Sequence, residues 1–485
     1  MFKRYSLALL LLPALTACEG LLNVNNDPGK IAPSQVTMPA LLAPGIQFTS
    51  TAYYDASSYG AYYTQHLAGH GGQAANIDAY NPYGFDALWQ SVYLNALPNL
   101  KELERLAAER GSNTYLGIAK VLIALNLQQS TDVFGDIPYS QAFQGVGELN
   151  PAYDPQSEIY TVHLKNLLDE AIAQLEQPAP AQTNLRPGTD DLVYNGDQAK
   201  WLRAAYSLRA RYYLHLSKKD PSNLQRAAAD ADRGINDKTG ASDVDLEYPG
   251  DALNSNPWFT LISNQPLTAR SHKPGAYLIN NMNGSTAGAF PGVVDPRLPK
   301  YADNRGAATY VGRPVGVADP QAVAAGTNVD ITTNTYYGAR TSPVLMLTYA
   351  ETQFIKAEAA FDTDRAASYA AYLEGIRGSM TKVGVAVADI DTYLNNPLIS
   401  KGAENLTLSD IMVQKYIAMY LQLETWTDMR RYNYDPTIYK NLTPPAVNRL
   451  NGQWVQRGNY PDNEPGRNTS LPSVGPQSEK MWLFQ

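Results

Sequence analysis

The chain repeats one local pattern, in which apolar side chains recur every three or four positions over segments of roughly 14–20 residues. This spacing places the apolar side chains on one face of an α-helix. Paired helices with short connections are typical of tetratricopeptide-type repeats of about 34 residues each. The sequence therefore predicts a mostly α fold built as a tetratricopeptide-like helical repeat scaffold. The predicted helices are 86–109, broken or kinked at Pro98, then 114–129, 157–176, 199–217, 222–235, 348–361, 363–380 and 409–431.

The helical period is lost between residues 241 and 344, where Gly, Pro, Asn, Asp and Thr dominate. A structureless loop of that length is unusual in a compact domain. We therefore predict a loop-rich subdomain laid on the scaffold, with short strands at 309–317 and 329–334. The predicted parts are a helical repeat scaffold at 36–240, a loop-rich subdomain carrying part of a ligand site at 241–344, and C-terminal scaffold helices and tail at 345–485, with 36–485 forming one compact unit.

The N-terminus has the pattern of a secretory signal at 1–17, with Lys3 and Arg4 followed by a short apolar run. Cys18 is the only cysteine, so no disulfide can form within the chain. Its position directly after Leu-Thr-Ala matches a bacterial lipobox, which predicts lipidation of Cys18 and a polar, lipidated tether at 18–35. The alternative is an ordinary cleaved signal with an incidental cysteine. In the first case the acyl chains hold the protein at a membrane surface.

The amino-acid composition argues against nucleic acid as a partner and leaves sugar binding open. The 38 basic and 46 acidic residues give a net charge of 38 − 46 = −8. Without a basic block the chain is a poor nucleic-acid binder. Tyrosine is unusually abundant, with 33 residues against 10 Phe and 6 Trp. Tyrosine suits wet interfaces because it combines an apolar face with a hydroxyl group. These residues either fill polar helix–helix contacts or form platforms for sugars.

The sequence contains no complete motif for catalysis or cofactor binding. Phosphate-binding glycine loops and the nucleophile elbow of hydrolases are absent. His66 and His70 have the spacing of two ligands on one helix face, but the glycines around His70 argue that no helix continues there. We therefore expect no metal and no cofactor. Paired carboxylates of a glycoside hydrolase remain open, because their separation depends on the fold.

Several stretches in chain order resemble signature motifs of the SusD/RagB family of outer-membrane lipoproteins. The match covers nearly the whole chain and is sparse only in the loop-rich part. The stretches are 23–28 (NVNNDP), 130–142 (STDVFGDIPYSQA), 294–298 (VDPRL), 347–359 (LTYAETQFIKAEA), 371–380 (AYLEGIRGSM) and 414–431 (QKYIAMYLQLETWTDMRR).

The resemblance implies a SusD-like fold of four tetratricopeptide-like repeats, with loops that carry the ligand site. It also implies a non-enzymatic surface protein, anchored to the outer membrane through the lipid on Cys18. Such a protein captures an oligosaccharide or peptide and delivers it to a SusC-like TonB-dependent transporter. The signature residues themselves, such as Trp426, Asp428 and Arg430, are expected to belong to the scaffold.

Candidate ligand residues combine aromatic rings for the apolar face of a sugar with polar groups for its hydroxyls. One cluster is Tyr80, Asn81 and Tyr83, and another is Asn256, Trp258 and Phe259. For each cluster the alternative is ordinary loop packing. Two other functions stay open at this point, a surface-anchored glycoside hydrolase and a repeat scaffold that binds only proteins.

Overall fold

The computed structural model describes residues 35–266, 269–317 and 328–485. Its first helix, α1 (Met38–Tyr63), was not predicted from the sequence. The N-cap is Thr37, whose hydroxyl oxygen accepts a hydrogen bond from the amide of Ala40. Pro44 and Gly45 lie inside the helix and weaken its periodic signal. Gly45 is needed for close packing, because a Cβ there would lie 2.6 Å from a methyl carbon of Leu100.

The predicted helix 86–109 is confirmed as a continuous helical stretch with a local change of winding. It follows the short helix α2 (Gly72–Asp78) and begins as α3 (Asp86–Trp89). A π-helical segment, Gln90–Ala96, then leads into α4 (Leu97–Arg110). Pro98 lies where the π-helical segment passes into α4, and the helical stretch changes its winding there without breaking.

The remaining helices of the first half also agree with the predicted periodicity. In α5, nearly every side chain is buried, so this helix runs through the middle of the scaffold. A second π-helical segment, Ile159–Leu164, joins the short helix Gln156–Glu158 to the helix Lys165–Leu175. These helices are α5 (Asn113–Phe134), α6 (Gln156–Glu158), α7 (Lys165–Leu175), α8 (Gln198–Leu216) and α9 (Ser222–Arg233).

In the second half, one predicted helix is wrong in detail. The chain expected to be helical over 409–431 is interrupted after Ala418, and Leu421 adopts a left-handed backbone conformation with φ 61°. Left-handed residues end helices because they turn the chain away from the helix axis. The helices here are α10 (Ala276–Met282), α11 (Leu298–Tyr301), α12 (Tyr349–Ala360), α13 (Arg365–Lys382), α14 (Val387–Leu394), α15 (Leu408–Ala418) and α16 (Glu424–Arg431).

The helices pack in succession, α4 on α5, α5 on α7, α7 on α8, α8 on α9, α9 on α12 and α12 on α13. Small side chains such as Ala210, Ala227 and Ala359 allow α8, α9 and α12 to approach closely. This order confirms the mostly α repeat scaffold. None of the described helices combines the length and apolar character of a membrane-spanning segment.

The described sheet structure is limited to short pairs that tie loops together. The strands are β1 (Leu67–Gly69), β2 (Val244–Leu246), β3 (His272–Pro274) and β4 (Val344–Leu347). β1 pairs with β3 and β2 with β4, both antiparallel. The strands predicted at 309–317 and 329–334 are wrong. Only isolated bridges occur there, Gly275 with Arg313 and Asp303 with Asp330, because glycines and Pro314 interrupt regular pairing.

Buried ion pairs join helices that are far apart in the sequence. Arg211 on α8 makes two hydrogen bonds to Glu351 on α12, at 2.5 and 2.6 Å. Arg431 on α16 reaches Glu358 on α12, with 2.9 Å between Nη2 and Oε2. Glu351, Glu358 and Arg431 lie in the sequence motifs that were expected to serve the scaffold. Their burial and pairing confirm that expectation.

We predict that Glu351→Gln lowers the free energy of unfolding by about 3–5 kcal/mol, because it removes the carboxylate that is hydrogen-bonded to the buried Arg211 and leaves only the more distant Glu424, at 3.8 Å. Glu102→Gln removes an exposed partner of Arg105 and should cost less than about 1 kcal/mol. Urea unfolding followed by circular dichroism measures both. Equal losses in the two variants would contradict the structural role of the buried pair.

Candidate functional site

The structure places the cluster around Trp258 inside the protein. Only 3% of Trp258 is exposed, and its ring packs edge-on against Tyr54 at 5.0 Å. Phe259 is 5% exposed and its ring lies beneath the guanidinium of Arg340. A ring that stacks on a sugar must offer a face to solvent. The prediction that Trp258 and Phe259 form an exposed platform is therefore wrong, because both rings fill the core under the loops.

The side chain of Asn256 also has a structural role. Its side-chain oxygen accepts hydrogen bonds from the amides of Trp258 and Phe259, at 2.7 and 3.2 Å. Its side-chain nitrogen donates to the carbonyl of Ser342 at 2.6 Å. These contacts cap a short helical turn and tie it to the chain before β4. With all its polar atoms engaged, Asn256 is not offered to a ligand.

The other predicted cluster is divided between core and surface. The Tyr80 ring is fully buried and packs against Tyr63, so its predicted ligand contact is wrong for the same reason as that of Trp258. Asn81 and Tyr83 are partly exposed on the loop that leads into α3. Their role in ligand binding stays a prediction.

Partly exposed aromatic rings do come together at a different place. Trp89 and Tyr93, one helical turn apart, lie with ring centres 4.3 Å apart. Phe143 stacks on Tyr93 at 6.2 Å, and Tyr153 stacks on Trp89 at 6.2 Å. The rings line or support a cleft of about 520 Å³ between segments 86–94, 138–151 and 461–468. We call this the aromatic cleft.

Polar side chains also line the aromatic cleft, and we call them its polar wall. Asp86 and Gln90 come from the helical stretch that carries Trp89 and Tyr93, and Asn463, Glu464, Arg467 and Asn468 come from the C-terminal tail. Glu464 accepts a hydrogen bond from the hydroxyl of Tyr153 at 2.7 Å, which links the aromatic floor to the polar wall. Burial and the neighbouring Glu464 raise the pKa of Tyr153, so the hydroxyl stays protonated as a donor.

Local structure explains why these groups converge. The π-helical segment Gln90–Ala96 carries Tyr93, and π-helical turns are frequent at functional sites. The hydroxyl of Tyr93 donates to the carbonyl of Pro138 at 3.0 Å. Asp154 then fixes the following turn by accepting hydrogen bonds from the amides of Tyr139 and Ser140. Two walls of the cleft are thus held together by specific hydrogen bonds.

Trp89 and Tyr93 belong to the apolar spacing that predicts the helix 86–109, and nothing in the sequence groups them with the tail residues Glu464 and Arg467. The signal that could have found the cleft is the polar pair Asp86 and Gln90 beside those rings, which a purely buried helix face would not carry. The contribution of the tail could not be predicted from the sequence, because it depends on a contact between residues that are more than 300 positions apart in the chain.

A second cleft of about 870 Å³ adjoins the aromatic cleft and shares Ala142 with it. Its lining is charged but internally paired. Lys120 donates hydrogen bonds to Glu104 and Glu170, both at 2.7 Å, and Lys101 contacts Glu104 at 2.5 Å. Because these charged groups already pair with one another, the second cleft has fewer free hydrogen-bonding groups for a neutral ligand.

Two described groups of side chains have the composition of cation sites. In the first, His215 contacts Glu424 through Nε2 and Asp132 through Nδ1, which point to opposite sides of the ring. That arrangement makes a hydrogen-bond chain rather than a common metal centre. The second group is Asp154, Glu158 and His163, in which Asp154 is already engaged by backbone amides.

The His66 and His70 pair does not form a metal site. His66 follows the end of α1, and its two ring nitrogens contact the carbonyl of Tyr416 at 3.1 Å and the amide of Leu421 at 3.2 Å. Burial lowers the pKa of His66 to about 3, so the ring is neutral. Both nitrogens are used by the backbone.

Comparison with known proteins identifies the class to which this architecture belongs. The family model described as "Starch-binding associating with outer membrane" matches residues 29–461. The chain therefore belongs to the SusD-like family, as its motifs predicted. No curated protein is significantly similar to it in sequence.

Solved structures show the same fold. A SusD/RagB family protein from Bacteroides thetaiotaomicron is 23% identical, with a TM-score of 0.73 over 92% of this chain and 99% of that one. A chitin-binding SusD homologue from Flavobacterium johnsoniae is 20% identical, with a TM-score of 0.74 over 92% and 98%. A SusD homologue from Bacteroides fragilis is 21% identical, with a TM-score of 0.72 over 93% and 100%.

We predict that Trp258→Ala lowers the free energy of unfolding by about 3–5 kcal/mol, since a buried Trp is truncated. Glycan affinity of the folded fraction should be unchanged. Thermal melts and titrations on the purified variant measure the two effects. Weakened binding with an unchanged melting temperature would restore Trp258 as a ligand platform.

Proposed function

We propose that this protein captures an oligosaccharide at the outer-membrane surface and delivers it to a SusC-like TonB-dependent transporter. The observation that carries the proposal is the aromatic cleft, where aromatic rings and polar side chains line the same space. A sugar ring has an apolar C–H face and a rim of hydroxyl groups. Trp89 and Tyr93 match the face, while Gln90, Asn463 and Arg467 match the hydroxyls.

The family description supports a glycan as the ligand. Starch binding is named for the family and chitin binding for a structural neighbour. Both polymers are neutral, and the neutral aromatic floor suits either one. We therefore favour an oligosaccharide over a peptide, and we place Tyr83 and Asn81 on the loop beside the site as secondary contacts.

We propose binding without hydrolysis. The carboxylate of Glu464 accepts a hydrogen bond from Tyr153, which fixes its position in the wall. A glycoside hydrolase needs a second carboxyl group that is held in an enclosed, apolar setting to act as the acid. Asp86 is the other carboxylate that lines the cleft, and it is partly exposed rather than enclosed.

The lipid anchor and the transporter complete the proposal. Cys18 lies outside the described residues, so its lipidation rests on the sequence pattern alone. The family description associates related proteins with the outer membrane, which agrees with an anchor at that position. The transporter partner rests on the resemblance of the motifs to the SusD/RagB family.

For the cleft we predict that Trp89→Ala weakens oligosaccharide binding by about 1–3 kcal/mol, by analogy with other ring-on-aromatic stacking. Calorimetric titration with maltoheptaose and with chitohexaose measures the loss and distinguishes the two ligands. Trp482→Ala is the matched control, because Trp482 is also partly exposed but packs against Lys219 and Tyr160. If both variants bind like the wild type, the aromatic cleft is not the glycan site.

For the anchor we predict that Cys18→Ala releases the protein into the soluble periplasmic or extracellular fraction with its fold intact. The reason is that acyl chains supply membrane affinity in a lipoprotein. Fractionation and immunoblotting against the wild type measure the release. A variant that stays in the outer-membrane fraction after washing without detergent would contradict lipidation at Cys18.

A further inference from the structure

The aromatic cleft is lined by two exposed leucines that a plain sugar does not account for. Leu94 is 66% exposed and Leu149 is 73% exposed, and both line the same space as Trp89 and Tyr93. Single apolar side chains are common on protein surfaces, but apolar side chains grouped in a cleft are typical of a binding site. Trp89 and Tyr93 already match the C–H face of a sugar ring, so the two leucines offer apolar contact to a further group of the ligand.

Polar groups lie close to Leu94 on the same helical stretch. Asp86, Gln90 and Leu94 follow one another at intervals of four residues in α3 and the π-helical segment, so their side chains are neighbours. Asp86 is partly exposed, and Gln90 is exposed. All three line the cleft, where Asp86 is a hydrogen-bond acceptor, Gln90 is both donor and acceptor, and Leu94 is an aliphatic surface.

The C-terminal tail adds one side chain that positions it and two that are open to solvent. Asn468 is buried and donates a hydrogen bond to the carbonyl of Pro151 at 3.0 Å, which ties the tail to the segment that carries Leu149. Asn463 and Arg467 line the same cleft and are exposed. Their amide and guanidinium groups are therefore donors available to a carbonyl oxygen of a ligand.

We propose that the aromatic cleft selects glycans built from N-acetylated amino sugars, with Leu94 and Leu149 contacting the methyl of the acetamido group. Such a group has an N–H that donates, a carbonyl that accepts and a methyl that is apolar. Asp86 accepts from the N–H, and Asn463 or Arg467 donates to the carbonyl. The hydroxyl that a glucose unit carries at the same position would leave the leucines uncovered. This inference rests on the proposed glycan capture and adds the class of sugar.

The test is calorimetric titration of the full chain with chitotetraose and cellotetraose. Both are β-1,4-linked tetrasaccharides with the same ring configuration, and they differ only at C2, which carries an acetamido group in the first and a hydroxyl in the second. We expect chitotetraose to bind about tenfold more tightly, the discrimination that one methyl-sized group in an apolar contact supports. A tetrasaccharide of two N-acetyllactosamine units carries the acetamido group on alternate sugars. Whichever acetylated ligand binds more tightly identifies the kind of glycan that supplies the group.

A double variant, Leu94→Ser with Leu149→Ser, tests the residues themselves. We expect the ratio of chitotetraose affinity to cellotetraose affinity to fall about fivefold or more, because the methyl loses its apolar contacts. Both leucines are exposed, so the variant should fold and keep its melting temperature. The matched control is Leu253→Ser, which removes a leucine that is 93% exposed and lies outside the cleft, and it should leave the ratio unchanged.

Equal binding of chitotetraose and cellotetraose, or a ratio that the double variant leaves unchanged, would overturn the inference. In either case, weaker binding by Trp89→Ala would still support glycan capture at the aromatic cleft. Absence of binding to every oligosaccharide, maltoheptaose included, would instead overturn the capture together with the class of sugar.

Discussion

The structure depends on charges that are buried between helices of its first and second halves. Arg211 on α8 holds Glu351 on α12, and on the same face of α8 His215 contacts Glu424 on α16 at 2.5 Å. Each ion is shielded from water and is stable only because its partner sits at a fixed distance. Helix α8 is therefore locked in position against α12 and α16, and the loops between them are carried by a rigid support.

That support explains where a ligand site can form. The loops and the C-terminal tail cross the scaffold and are fastened to it by single strong contacts. Arg430 on α16 donates to the carbonyl of Asp132 at 2.6 Å and to that of Gln456 in the tail at 3.2 Å, and Arg457 in the tail donates to that of Phe134 at 2.7 Å. Asp132 and Phe134 lie at the end of α5, next to the segment that forms a wall of the aromatic cleft. The cleft thus lies beside a point where the tail is fastened to the scaffold, which favours preorganised binding groups.

The sequence predicted the scaffold well because helical periodicity and buried motifs are local signals. Helix α8 was found from its apolar spacing and its start at Asp197, whereas α1 was missed because Pro44 and its many Ser and Tyr residues obscure the period. The site could not be found in the same way. Trp258 was chosen for its position among loops, but burial depends on which helix a loop covers. Trp89 belongs to the apolar spacing of the predicted helix 86–109, but its ring is partly exposed and lines a cleft.

The abundance of tyrosine shows why composition alone cannot locate a binding surface. Many tyrosines occupy the interior, and their hydroxyls bind buried ions, as Tyr53 does with Arg211 and Tyr160 with Asp132. The same hydroxyl chemistry operates at the cleft, where Tyr153 binds Glu464. The same contact, a tyrosine hydroxyl bound to a charged group, therefore occurs both in the core and at the aromatic cleft. The two roles differ only in whether the ring has a face in solvent, which tertiary packing decides.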